Sequence, residues 1–483
     1  MPAFQRLFKQ TFIYGLATVL PRMFSFLLLP LYTKMLPKAE YGEISVVFAY
    51  FIVFNIILAY GMETAFFRFY SQKENKEKVM TTSGWSLVFS SSLFFVLAFF
   101  GKNYIANLTQ IPVEFITLII WILFLDALVI IPFAYLRACE KPIRYAVYKI
   151  LNVLINLLLN VVFLVYLKNW AIKNEFFAQI YIPDFEINYV FIANLVASAI
   201  TLLLLLPFYF KLKLAFDTVL WKKMMRYAFP VLIAGVAFSI NAAFDKILLN
   251  YLLPENIAEA QIGEYAACYK LAIFMTLFAT AFRLGIEPFF FSHASSKNAK
   301  ETYAAITKYF VIFGAIIFVS VIVFIDFLKE LVLQDKSYWE AMSIVPLVLL
   351  ANLCLGIYHN LSVWYKITDR TKFGAYISVF GAIVTIVLNF ALIPVWGYFG
   401  SAVALLAAYA SMVILSYYFG QKHYPIPYNL KKILGYLGIS IGICVLSFYF
   451  FRGNYFLGIL MLTGFMTIVY FSEKEEFKKI INL

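Results

Sequence analysis

"AEYGEISVVFAY", residues 39–50, opens an apolar run, and its pattern returns in the second half of the chain as "AQIGEYAACYKL", residues 260–271. The two stretches share a Gly-Glu pair, Gly42-Glu43 and Gly263-Glu264. Further on, "YGMETAFF" (60–67) lines up with "LGIEPFFF" (284–291), matching Gly61 to Gly285 and Glu63 to Glu287. A third echo, within a one-residue slip, joins "RYAVYK…LLLN" (144–160) to "KFGAYI…IVLN" (372–389). Three echoes in the same order describe a duplicated unit.

Hydropathy says what the unit is made of. Hydrophobic residues are 63% of the 483 and charged residues only 13%, with mean hydropathy +0.85. A soluble chain carries about 25% charged residues. Here the charges gather in short clusters between apolar runs of about 20 residues, the length that crosses about 30 Å of hydrocarbon as a helix. About fourteen such runs can be counted, near 11–34, 41–66, 79–100, 112–136, 145–167, 187–210, 227–252, 262–287, 306–327, 338–360, 373–394, 398–420, 432–451 and 455–472. The expectation is an all-α polytopic membrane protein of two six-helix pseudo-symmetric lobes plus two extra C-terminal helices. The divisions fall at 1–213, 214–421 and 422–483, and the first run reads as a retained span, since no small-residue cleavage site follows it. The stretch "LAFDTVLWKKMMRYAF" (214–229) sorts apolar and basic residues onto different faces and reads as a surface helix linking the halves.

Basic residues test the count. With the N-terminus cytoplasmic, 27 of the 39 Lys and Arg fall in inside segments and 8 in outside loops. That bias is what the positive-inside rule demands, and it places both termini inside. The formal charge of +13 then follows from orientation and anionic headgroups, and no nucleic-acid partner is needed. Four basic residues remain within spans: Arg22, Lys246, Lys270 and Arg283. Asp126 is the deepest acidic residue, and Asp245 sits beside Lys246.

Nothing points to catalysis. No histidine lies near a nucleophile-bearing turn and no phosphate-cradling G-x-x-x-x-G-K-[ST] loop exists. Cys139, Cys268, Cys354 and Cys444 are far apart and the three histidines isolated, so neither a disulfide framework nor a metal site is expected.

The span count, the repeat, "FDKILLNYLL…GEYAACYKLA" across the seventh and eighth runs and "LRACEKPIRYAVYK" between the fourth and fifth resemble the polysaccharide-transport branch of the multidrug/oligosaccharidyl-lipid/polysaccharide exporter superfamily. The likeness extends over nearly the whole chain. Members close to this pattern are Wzx-type flippases, and the resemblance implies a bacterial inner-membrane protein moving undecaprenyl-diphosphate-linked glycan repeat units by alternating access. It implies no cofactor, and it leaves room for a proton or sodium gradient as the driving force and for contact with polysaccharide polymerase machinery. Two other readings stay open: a peptidoglycan lipid-precursor flippase, and a cation-coupled multidrug exporter of the same superfamily.

Charges inside a membrane segment usually face a bundle interior or an aqueous cavity. Arg22 offers a forked donor set for a diphosphate, or else it pairs with Asp126. Lys270 is a second ligand candidate. Arg283 is a third, although strict helical count takes it off the face of Lys270 unless the helix kinks, and it could instead snorkel to the headgroups. Asp126 could instead carry a coupling ion. Asp245 and Lys246, adjacent and so about 100° apart around the helix, are not expected to pair and read as gating or structural residues. Glu63 and Glu287, at matched helix ends, read as an inner gate or an architectural pair.

Overall fold

The computed structural model describes residues 3–71, 75–294, 296 and 298–481, and among them every regular element is helical. Seven helices are long and apolar enough to span a membrane before residue 253: α1 (Ala3–Met35), α2 (Lys38–Ser71), α3 (Lys76–Phe100), α4 (Val113–Ala138), α5 (Pro142–Lys173), α6 (Glu186–Tyr209) and α7 (Thr218–Leu252). The eighth is broken: Glu255–Lys270 and Ile273–Glu287 are bent by 50° and together make α8. After α9 (Ala299–Val323) and α10 (Lys336–Ile367) comes a 52-residue helix, Lys372–His423. Gly397, at φ 55° and ψ −137°, kinks it into α11 (372–396) and α12 (398–423). A left-handed φ of that kind favours glycine, which has no Cβ to clash. The chain ends with α13 (Leu430–Phe450) and α14 (Tyr455–Glu475). With the broken eighth span counted once and the long helix counted as two, the fourteen expected spans are all present.

Local chemistry sets the boundaries. Pro142 occupies the first turn of α5, where a missing N–H costs nothing. The Asp217 side chain accepts from the Leu220 amide and caps α7. Because α7 runs unbroken from that cap through residue 229, the segment read as a separate surface helix is instead the first third of a spanning helix. Its basic residues sit on the solvent end of a long rod, and such a sorting of faces looks the same in sequence as that of an interfacial helix. Pro21 and Pro30 lie within α1 without ending it.

Contacts divide the chain into two compact units, 1–263 and 264–483, with the division falling inside α8. In the first unit, α7 packs along α2, α1 along α5, and α6 against both α4 and α5. In the second, α8 and α9 both pack on α10, and α9 also carries α13 and α14.

The glycines of the opening motif have a physical reason. A Cβ on Gly42 would lie 1.9 Å from the Glu259 carbonyl oxygen, and one on Gly263 would lie 1.9 Å from that of Lys38. Each glycine thus meets the carbonyl four residues before the other, a reciprocal crossing of two helix backbones at a distance only glycine permits. The third echo behaves likewise. Asn160 and Asn389 are both fully buried, and each donates to the carbonyl four residues earlier in its own helix. Each also accepts a hydroxyl from a different helix: Asn160 from Tyr32 at 3.0 Å and Asn389 from Ser401 at 2.7 Å. The Gly61 and Gly285 pair does not match: Gly61 has φ +73° against the Ala228 carbonyl, whereas Gly285 has open space around it.

Candidate functional site

Within the first unit, α2, α4, α5, α6 and α7 line an open cavity of about 510 Å³. Its polar lining is Asn55 from α2, Asp126 from α4, Lys149 and Asn152 from α5, and Thr201 from α6, with Glu63 and Thr64 beyond the turn in α2. Phe133 and Tyr145 supply aromatic walls. Such a pocket, concave and largely apolar with a few convergent polar groups, is how small-ligand sites are built.

The polar groups are held in place from behind. Asp126 accepts from the Ser198 hydroxyl at 2.7 Å, and the Asn152 amide donates to the Thr201 hydroxyl at 2.9 Å. Lys149 lies over the Phe133 ring, its Nζ 4.4 Å from the centroid, and makes no ion pair among the described residues. At the rim, Arg137 pairs with Glu63 at 3.0 Å and lies over the Phe67 ring at 4.7 Å. The cavity therefore presents one ammonium, two carboxylates (Asp126 and, tied to Arg137 at the rim, Glu63), amides and hydroxyls, groups that can meet an anion at the lysine and hydroxyls at the rest.

In the second unit the repeat gives a smaller, tighter arrangement. Arg283 Nη1 lies 3.4 Å from His359 Nε2. Glu287 accepts from Lys366 at 2.6 Å, near the end of α10. Glu63 with Arg137 and Glu287 with Lys366 are the same device: the matched carboxylate of the second or eighth span tied to a cation at the end of the helix two further on.

The remaining candidates are dispersed. Arg22 is on an exposed face of α1, the helix that packs along α5, while Asp126 accepts from Ser198 and shares the cavity lining with Lys149. Lys270 is half-buried at the last position before the break in α8. Arg283 lies beyond the break on the other, differently directed piece, so strict helical count does not relate the two. Asp245 and Lys246 do pair, with Nζ–O distances of 3.2 and 3.3 Å. Their Cβ vectors diverge as expected, but the four-carbon lysine stem curls back across that angle.

Asn55, Arg137, Lys149, Asn152 and Thr201 of the first unit and His359 and Lys366 of the second escaped the sequence reading. Lys149 lies two turns into α5 and reads in sequence as one more orientation charge of the preceding basic loop. His359 and Lys366 carry no local signal at all. Their only sequence clue is that α10 is the repeat partner of α4.

A protein-family model described as polysaccharide biosynthesis protein matches residues 7–282. No curated protein matches the chain in sequence. Among solved structures, the chain is similar to an inward closed conformation of the lipid II flippase MurJ, with a TM-score of 0.74 at 16% identity, covering 95% of this chain and 99% of that one. It is also similar to a multidrug resistance MATE family transporter of the MOP superfamily in an inward-facing conformation, at TM-score 0.67 and 11% identity, covering 86% and 96%. A third is a MOP superfamily transporter from Pyrococcus furiosus described as having a binding pocket of reverse polarity, at TM-score 0.58 and 15% identity, covering 86% and 94%. Identities this low speak for the fold alone.

Proposed function

Since the chain belongs to the polysaccharide biosynthesis protein family, we propose that it is a flippase carrying a diphosphate-linked oligosaccharide lipid across the bacterial inner membrane by alternating access, with both termini cytoplasmic. The observation that carries this reading is the cavity of about 510 Å³ with Lys149 in its wall. A cation inside an apolar bundle is costly unless water or an anion meets it. A diphosphate headgroup passing through the cavity supplies that anion, and Asn55, Asn152 and Thr201 offer donors and acceptors to its sugar hydroxyls. Arg22, Lys270 and Arg283 are proposed as further substrate-binding cations. Asp126 balances Lys149 between substrates or carries a coupling proton or sodium ion.

Complementation tests it. Strains that each lack one defined flippase, for oligosaccharide repeat units or for the peptidoglycan precursor, are supplied with this chain, and the accumulating lipid intermediate is identified. Rescue of a repeat-unit strain that depends on Lys149 supports the proposal. Rescue of the peptidoglycan-precursor strain alone moves the substrate to lipid II, the lipid that MurJ is named for. Rescue of neither, together with export of organic cations, would return it to the multidrug reading.

A further inference from the structure

A second cavity, of about 150 Å³, lies where the end of α4, the start of α5 and the end of α6 meet. It shares no lining residue with the central cavity. Leu136 and Leu205 form its apolar floor, part of a buried cluster against which Tyr148 packs. Lys141, Arg144 and Lys211 line it from three directions in the sequence: just before α5, in the first turn of α5 and just past α6.

These three cations stand apart from their neighbours. Arg137 is paired with Glu63 and Lys213 with Glu77, whereas Lys141, Arg144 and Lys211 make no ion pair among the described residues. The first turn of α5 holds no acidic residue, although helix starts favour carboxylates there and disfavour cations. Like charges gathered at the positive end of a helix repel each other, and a bound anion relieves that repulsion.

The surroundings say which anion. Ile143 and Val147 on α5 and Leu203 and Phe210 at α6 are exposed apolar side chains flanking the basic rim, a surface that faces acyl chains in a spanning bundle. A cavity of about 150 Å³ is below the roughly 300–1,000 Å³ of sites for drug-sized ligands. We propose that this is a binding site for the phosphate of an anionic phospholipid from the leaflet on the basic side of the membrane, its acyl chains lying along α5 and α6. Basic pockets between membrane helices take anionic headgroups in this way.

The test uses the full-length protein purified in detergent, with phosphatidylglycerol, phosphatidylcholine or inorganic phosphate added and bound molecules counted by native mass spectrometry. Phosphatidylglycerol should be retained in preference to phosphatidylcholine. Each of Lys141→Gln, Arg144→Gln and Lys211→Gln should weaken retention about five-fold, and the triple variant on the order of a hundred-fold. Lys141→Arg should retain the lipid, as should Lys213→Gln, whose lysine is outside the cavity. Size-exclusion profiles identify misfolded variants, and the single substitutions decide the matter if the triple variant fails to fold. Wild-type retention by the folded single variants, or displacement of the lipid by an equal concentration of inorganic phosphate, overturns the proposal.

Discussion

Gly42→Ala should drive α2 and α8 apart. The added Cβ would stand 1.9 Å from the Glu259 carbonyl oxygen, and an unstrained contact needs about 3.5 Å, so one backbone must retreat by roughly 1.6 Å. The obstacle is helix backbone, which cannot rotate aside as a side-chain tip can. Overpacking costs about 1–3 kcal/mol, and this geometry belongs at the upper end. At roughly 2 °C per kcal/mol for a unit of about 250 residues, the thermal midpoint should fall by roughly 5 °C. Gly263→Ala meets the Lys38 carbonyl in the same way and should cost as much. The double variant should cost less than the sum, because helices parted by one methyl already have room for the other. Gly435→Ala is the control: nothing lies within 4 Å of its Cβ position, and alanine is the better helix former. Thermal unfolding of the purified variants, followed by loss of the monodisperse size-exclusion peak, reads all four. A Gly42→Ala midpoint equal to that of wild type, or fully additive losses, refutes the reciprocal crossing.

Glu473 on α14 is fully buried and takes hydrogen bonds or ion pairs from Lys308 of α9 and from Tyr436 and Lys432 of α13. Glu473→Ala strands Lys308 in the interior without its carboxylate and should cost about 3–5 kcal/mol, whereas Lys308→Met with Glu473→Leu should recover most of that in a thermal-unfolding comparison. Lys149→Ala should leave the fold intact and reduce complementation about ten- to hundred-fold, the value of one charge-assisted hydrogen bond, and Lys149→Arg should keep part of the activity. Asp326, outside the spans, is pushed up by burial, but hydrogen bonds and charge from Lys329 and Arg452 outweigh this and hold its carboxyl below the ordinary value. Its stabilising contribution is therefore complete above about pH 4, the unfolded value, and fades as pH falls through the lower folded value. The midpoint difference between wild type and Asp326→Asn should narrow on acidification, and a difference that widens contradicts the pairing.

The spans were legible because an apolar run of lipid length has few alternatives to crossing a bilayer, and the repeat was legible where backbone geometry restricts the residue. Gly42 and Gly263 recur because no side chain fits between the crossing helices, and Asn160 and Asn389 because a buried amide needs partners on two sides. The break in α8 was not legible: Leu271 and Ala272, which join its pieces, are ordinary helix residues. The cavity was half legible. Asp126 is conspicuous in an apolar run, but Lys149 lies close enough to a basic loop to be counted with it. The lysine reaches the cavity because of how α5 lies against α4 and α6, which composition does not encode. Asp245 and Lys246 show the opposite error, since backbone directions alone underestimate the reach of lysine.

The placement of charge in this bundle separates ions fixed beside a carboxylate from one kept available. Lys308 has Glu473, Lys246 has Asp245 and Lys366 has Glu287, each within 3.2 Å. In the two buried pairs, at Lys308 and Lys246, the cost of burying an ammonium is met by a carboxylate fixed beside it, and removing either partner strands the other. Lys149 is arranged differently. It faces a cavity large enough to hold water, it lies over the Phe133 ring, and Asp126 is held by Ser198 rather than by the lysine. Water and the aromatic face lower the cost of the charge without consuming its hydrogen-bonding capacity. A lysine whose purpose was to join α5 to α4 would be expected on Asp126 directly. One held off that carboxylate, in open volume, retains its three donors for an anion that enters and leaves.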